Sequence, residues 1–177
     1  MGRDKALLEV GGVPLWQRQL QVLRELLPAE IFISASHRSE WASLGHEVIA
    51  DLQDDIGPLA GLVASLHRSA HPLLLALAVD LPNMSADYLR GLLQLCAHGR
   101  GVVATGLHGF EPLAAVYPKE SLPLAESFVC AERFSLQDFA AHCVAGGLLI
   151  ERAISPSDEP LFLNVNTPTD FASIAHG

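Results

Sequence analysis

The chain has 177 residues and a formal net charge of −9, from 11 lysines and arginines against 20 aspartates and glutamates, a balance that repels nucleic-acid phosphates. Half of it (50%) is apolar and the mean hydropathy is +0.30, enough to bury a core and to exclude general disorder. The longest apolar run, Leu73 to Val79, is far short of the roughly 20 residues of a membrane-spanning helix, and no signal peptide is readable, so a cytoplasmic protein is expected.

In chain order, Pro14 predicts a helix to about Leu27, with Leu15, Trp16, Leu20, Leu23 and Leu27 on one side. Ile31 to Ala35 and Glu47 to Ala50 read as short strands, the second running into the acidic loop 51–58. Leu59 to Ser69 has helical spacing. Leu73 to Val79, between Pro72 and Asp80, reads as a strand buried on both faces. Ser85 is placed to cap a helix ending near His98 with Gly99 as terminator, and Gly101 to Thr105 and Leu113 to Tyr117 follow as strands. Ser135 and Asp138 have the spacing of a capping box for a helix across Phe139 and His142. Leu161 to Leu163 reads as a last strand, and Thr167-Pro-Thr-Asp170 as the start of a final helix. The alternation, unbroken by repeats or long linkers, predicts one α/β domain over residues 1–177 with a mostly parallel sheet.

Open sheets of this kind bind ligands beyond the carboxyl ends of their strands, which directs attention to Asp51 to Gly61, Asp80 to Asn83, the segment around Phe110 to Pro112, and Asn164 to Thr167. Asp80, fixed between the apolar run and Leu81-Pro82, reads either as a turn or capping aspartate or as one carboxylate of a magnesium site, which substrate phosphates would complete. Asn164 and Asn166 alternate on one side of an extended segment, where they could reach one ligand; a turn residue followed by an N-cap is the competing account. Gly57-Pro58-Leu-Ala-Gly61 enters a helix and reads as a tight turn or as backbone N–H groups facing phosphate, ribose or base. Lys5 and Arg3 make the start of the chain locally basic, and surface solvation accounts for Lys5 and Lys119 equally well. Cys96, Cys130 and Cys143 lack metal or redox spacing and read as buried thiols. No GxxxxGK[ST] is present, and Gly99-Arg-Gly101-Val-Val-Ala104 fits GxGxxA only in the reverse context, leaving a helix and entering a strand.

Taken together, Met-Gly-Arg-Asp-Lys5-Ala-Leu-Leu, Asp51 with Gly-Pro-Leu-Ala-Gly61, Val-Asp80-Leu-Pro, Glu111-Pro-Leu-Ala-Ala-Val-Tyr and Asn164-Val-Asn-Thr-Pro resemble, in that order, the molybdenum cofactor guanylyltransferases, the MobA-like nucleotidyltransferases. The resemblance spans essentially the whole chain. It implies a three-layer Rossmann-like nucleotidyltransferase fold and transfer of GMP from Mg-bound GTP to the terminal phosphate of molybdopterin, releasing pyrophosphate. It further implies that Lys5 contacts the GTP phosphates, that Asp51 and the Gly57, Pro58, Gly61 loop hold the guanosine, and that Asp80 binds Mg2+. Asn164 and Asn166 would face the reaction centre and the pterin, with Arg133 near the pterin phosphate. The expected partners are GTP and molybdopterin, with room for molybdoenzymes or other cofactor-biosynthesis proteins, and neither nucleic acid nor membrane. Family members begin with a strand and a Leu-Ala-Gly-Gly-x-Ser-x-Arg-Met-Gly loop; this chain starts at that loop's Met-Gly, which reads as a truncated or misassigned start. The competing readings are a related nucleotidyltransferase using CTP or another acceptor, and an inert module that binds a nucleotide or cofactor.

Overall fold

The computed structural model describes residues 5–35, 47–50 and 57–165. In chain order the regular elements are β1 (Glu9–Val10), β2 (Val13–Pro14), α1 (Leu15–Arg24), β3 (Phe32–Ala35), β4 (Glu47–Ala50), α2 (Pro58–Arg68) and β5 (Leu73–Leu77). They continue with α3 (Ala86–Leu95), β6 (Gly101–Gly106), β7 (Gly109–Pro118), α4 (Leu122–Cys130), α5 (Leu136–Ala145) and β8 (Leu149–Ala153). Their contacts divide into two units, one from the described residues of Met1–Pro28, Leu77–Gly91 and Ile154–Gly177, the other from those of Ala29–Ala76 and Leu92–Ala153.

In the first unit, β1 and β2 pair antiparallel across Gly11 and Gly12, both at positive φ (61° and 77°), the backbone a two-residue hairpin needs and glycine adopts without strain. Pro14, extended at φ −56° and ψ 143°, then delivers the chain into α1, which buries Leu15, Gln19 and Leu20. The helix ends at Arg24, short of the predicted Leu27, because Leu27 turns into the left-handed region at φ 53° and is left 88% exposed. Ser85 caps α3 as predicted, its Oγ accepting from the Tyr88 N–H at 3.2 Å. The strand expected at Leu161 to Leu163 is instead a 3-10 turn, Glu159–Phe162. The Ser155 carbonyl accepts from both the Asp158 and Glu159 N–H groups, curling the chain, and Pro160 has no N–H for a ladder. Phe162 then packs edge-on against Tyr88, the ring centroids 5.2 Å apart.

The second unit holds a four-stranded sheet in the order β5-β7-β6-β8 and the parallel pair β3-β4. The larger sheet is mixed: β6 runs parallel to β8 and antiparallel to β7. The antiparallel pair arises because Gly106 faces Gly109 across the Leu107-His108 turn, a hairpin that needs no crossover helix. The predicted strand Leu113 to Tyr117 is the far half of this longer β7, whose register jumps: Val103 faces Ala115 while Ala104 faces Glu111. Pro112 lies in the resulting bulge, and the Tyr117 hydroxyl donates to its carbonyl at 2.8 Å. The core forms where α2, α4 and α5 lay Leu59, Phe128 and Phe139 on Val103, Tyr117 and Leu149 of the sheet. Ser135 Oγ accepts from the Asp138 N–H and caps α5. Cys143 is fully buried in this core, and burial pushes its thiol up to about 12. Cys96 is half-buried, but Cys130 is exposed at the end of α4, against the expectation of a buried thiol.

Lys119 likewise departs from surface solvation. Its ammonium donates to the Leu66 carbonyl, to the Ser69 carbonyl at 2.7 Å and to the His67 carbonyl at 3.5 Å, closing the end of α2 where backbone acceptors lack intrahelical partners. Lys119→Met keeps the aliphatic stem and removes the donors. It is expected to cost about 1 to 3 kcal/mol, read as a lower urea midpoint with unchanged slope.

Candidate functional site

The apolar run that forms β5 stops at Leu77, and the chain turns at Val79 and Asp80. Asp80 is therefore presented at a strand end, as the sequence predicts, with its side chain 25% exposed. Lys5 stands in a 3-10 turn, Lys5–Leu7, anchored by the buried Ala6, and places its Nζ 3.8 Å from Asp80 Oδ2. From the third side, the Val165 N–H donates to the Asp80 carbonyl at 3.0 Å. Val165 is fully buried, so Asn164, just before it, is held exposed beside the same turn. Three distant parts of the sequence thus meet within the first unit: the Lys5 ammonium beside the Asp80 carboxylate, and the Val165 backbone, which follows Asn164, on the Asp80 carbonyl. Asn166 and Asp51 lie outside the described residues.

The other predicted residues belong to the second unit. Gly57, exposed and at φ 73°, precedes α2; Pro58 occupies the helix start, and Gly61 is buried in the first turn. Gly57 has no side chain to cap the helix, and a Cβ built on it meets nothing within 4 Å among the described residues. Arg133 has partners of its own: its guanidinium pairs with Asp138, lies 4.1 Å over the Phe128 ring and places Nη2 3.4 Å from His142 Nε2. Phe110 to Pro112 is not at a strand end, as expected, but inside β7. There Gln137 clamps the Phe110 backbone, accepting from its N–H at 3.0 Å and donating to its carbonyl at 2.6 Å.

Two side chains outside the sequence-predicted set, Gln19 and Arg18, support the Asp80 turn. Gln19 Nε2 donates to the Leu81 carbonyl at 2.6 Å and Arg18 Nη2 to the Pro82 carbonyl at 3.3 Å. A signal existed in the sequence: Gln19 lies four residues after Leu15, on the apolar side of the amphipathic helix, where an amide needs a partner.

Among the described residues no three His, Cys, Asp or Glu side chains gather into a metal cage. A single partly exposed carboxylate fits magnesium, which is held through one or two carboxylates and takes its other ligands from waters and substrate phosphates. The ammonium of Lys5 next to it adds positive charge where a polyanion would sit, in a chain of net charge −9. No helix among the described residues is long and apolar enough to cross a membrane.

Residues 1–144 match the family described as the MobA-like NTP transferase domain. The chain is 35% identical to a protein of Opitutus terrae named "Probable molybdenum cofactor guanylyltransferase", over 96% of this chain and 86% of that one. It is 32% identical to the molybdenum cofactor guanylyltransferase of Pseudomonas fluorescens, over 94% of this chain and 82% of the relative. Among solved structures, the molybdopterin-guanine dinucleotide biosynthesis protein A of Archaeoglobus fulgidus superposes with a TM-score of 0.75 at 19% identity, covering 98% of this chain and 90% of that one. The nucleotidyltransferase fold is common to both.

Proposed function

This chain belongs to the MobA-like NTP transferase family and is a nucleotidyltransferase, and on that premise we propose that it transfers GMP from GTP to the terminal phosphate of molybdopterin, forming molybdopterin guanine dinucleotide. The observation that carries the reading is the Lys5 ammonium 3.8 Å from the Asp80 carboxylate, on a turn whose carbonyl the Val165 N–H also holds. An oxygen of the pterin phosphate forms a bond to the α-phosphorus of GTP; the bond from that phosphorus to the bridging oxygen of the β-phosphate breaks, and its electron pair leaves with pyrophosphate. The residues mainly position the two anions and spread their charge. Lys5 contacts the triphosphate, Asn164 donates its amide at the reaction centre, and Asp80 holds Mg2+, which when bound supplies positive charge to the phosphoryl oxygens. Asp51 and the Gly57 to Gly61 loop hold the guanosine, Asn166 faces the pterin, and Arg133 serves its phosphate. The chain acts as one domain in the cytoplasm.

Pyrophosphate release tests this reading. It is expected with GTP plus molybdopterin, not with either alone, and is abolished by EDTA. In a thermal melt, GTP with Mg2+ at about a hundredfold excess over Kd is expected to raise Tm by about 5 to 10 °C, with CTP giving no comparable shift. Turnover undiminished by EDTA, or equal protection by CTP, would refute it.

A further inference from the structure

The turn that carries Asp80 is fastened at three successive carbonyls. That of Asp80 accepts from the Val165 N–H at 3.0 Å, that of Leu81 from Gln19 Nε2 at 2.6 Å, and that of Pro82 from Arg18 Nη2 at 3.3 Å. The peptide planes on both sides of Leu81 are therefore held, one by the Val165 segment and one by α1. Pro82 restricts Leu81 further, through the clash of its ring with the preceding residue.

Folding alone gives little reason for the glutamine. Gln19 is only 6% exposed on a helix face it shares with Leu15 and Leu20, and its Oε1 is buried with no hydrogen-bond partner among the described residues. The Leu81 carbonyl already accepts from the Met84 N–H at 3.1 Å, so the amide is not needed to satisfy it. An apolar side chain of similar size at position 19 would remove an unsatisfied buried atom. What the amide adds is direction: a second donor that locks the Leu81 carbonyl, and with it the backbone from which the Asp80 carboxylate projects.

We propose that Gln19 is a positioning residue for Asp80, fixing through the Leu81 carbonyl the carboxylate that receives the metal, with Arg18 holding the next peptide. The inference rests on the reading of Asp80 as the metal-bearing carboxylate. Direct binding of Mn2+ to the full chain, followed by electron paramagnetic resonance in the presence of a non-hydrolysable GTP analogue, tests it in Gln19→Leu, Asp80→Asn and Lys119→Met. Gln19→Leu is expected to weaken Mn2+ by about 10- to 100-fold, as loss of an outer-shell partner does. The Mg2+ concentration for half-maximal pyrophosphate release should rise in step, while kcat at saturating Mg2+ stays within about threefold of the unmodified chain. Lys119→Met, which loosens α2 in the other unit, should leave Mn2+ affinity unchanged, separating positioning from general destabilisation.

Unchanged Mn2+ affinity in Gln19→Leu overturns the proposal. Should that variant fail to fold, Gln19→Asn, one methylene too short to reach the Leu81 carbonyl, carries the same expectation and the same power to overturn. If Asp80→Asn loses Mn2+ and the Gln19 variants do not, only the positioning role fails. If Asp80→Asn binds Mn2+ as before, the metal assignment fails and the positioning role with it.

Discussion

Replacing Asp80 by asparagine is expected to lower kcat by about 10²- to 10³-fold at saturating GTP and Mg2+, the size of losing several kcal/mol of charge stabilisation at a phosphoryl centre. The substitution keeps the shape of the side chain and the backbone bond from Val165, and removes only the negative charge that faces Lys5. Stability should barely move, because an ion pair 3.8 Å long whose side chains are 48% and 25% exposed contributes about 1 kcal/mol at most. Pyrophosphate release at saturating metal, measured beside a thermal melt, separates the two effects. A kcat within about threefold of the unmodified chain would remove Asp80 from the reaction.

Gly101→Ala has the largest effect expected on stability. A Cβ at this position would lie 1.8 Å from the Val116 carbonyl oxygen, a backbone atom that no rotamer can move, and 3.0 Å from Leu149 Cδ2. The site is buried where β6 is flanked by β7 and β8, with the Gly101 N–H donating to the Leu148 carbonyl at 2.9 Å. Relief requires the strands to part. The cost is expected at about 3 kcal/mol or more, the upper range for overpacking, and a lower denaturant midpoint measures it. A midpoint unchanged from the unmodified chain would show that the strands yield freely. The glycine that mimics a dinucleotide fingerprint is thus explained by close strand approach.

How far the fold could be read in advance depended on whether a segment announces itself locally. Ser85 with Tyr88, Ser135 with Asp138, and Pro14 before Leu15 are local devices, and each marks the helix start that the structure shows. The 3.6-residue spacing of Leu59 to Ser69 likewise placed α2 within one residue at either end. Segments defined by distant partners were harder to read. β8 carries Glu151 and Arg152 among its five residues and is a strand because it pairs with β6. α4 opens on Leu122-Pro123, which resembles a loop until its proline is seen in the first turn. The near half of β7 was hidden by Pro112, tolerated because a bulge spares it a ladder bond.

The site follows the same division. The place of Asp80 at a turn was legible because an apolar run ends beside it; the return of the Asn164–Val165 segment to that turn was not, because Val165 meets it through a backbone carbonyl. That the Lys5 ammonium faces Asp80 has no mark in the sequence, since the meeting depends on how the 3-10 turn sits. Gln19 and Arg18 went unnoticed because their partners are backbone carbonyls of residues 62 and 64 positions away, and a carbonyl leaves no mark in a sequence.

The placement of the two lysines has a chemical corollary. At position 119 the side-chain nitrogen is enclosed by helix-end carbonyls, whereas at position 5 it is half open to solvent and next to the carboxylate. Reagents that acylate amines distinguish the two by access alone. An adduct on Lys5 exchanges the cation beside Asp80 for a bulky neutral group; if Lys5 meets the triphosphate as proposed, nucleotide is expected to slow its formation, so that its rate reports occupancy without any turnover.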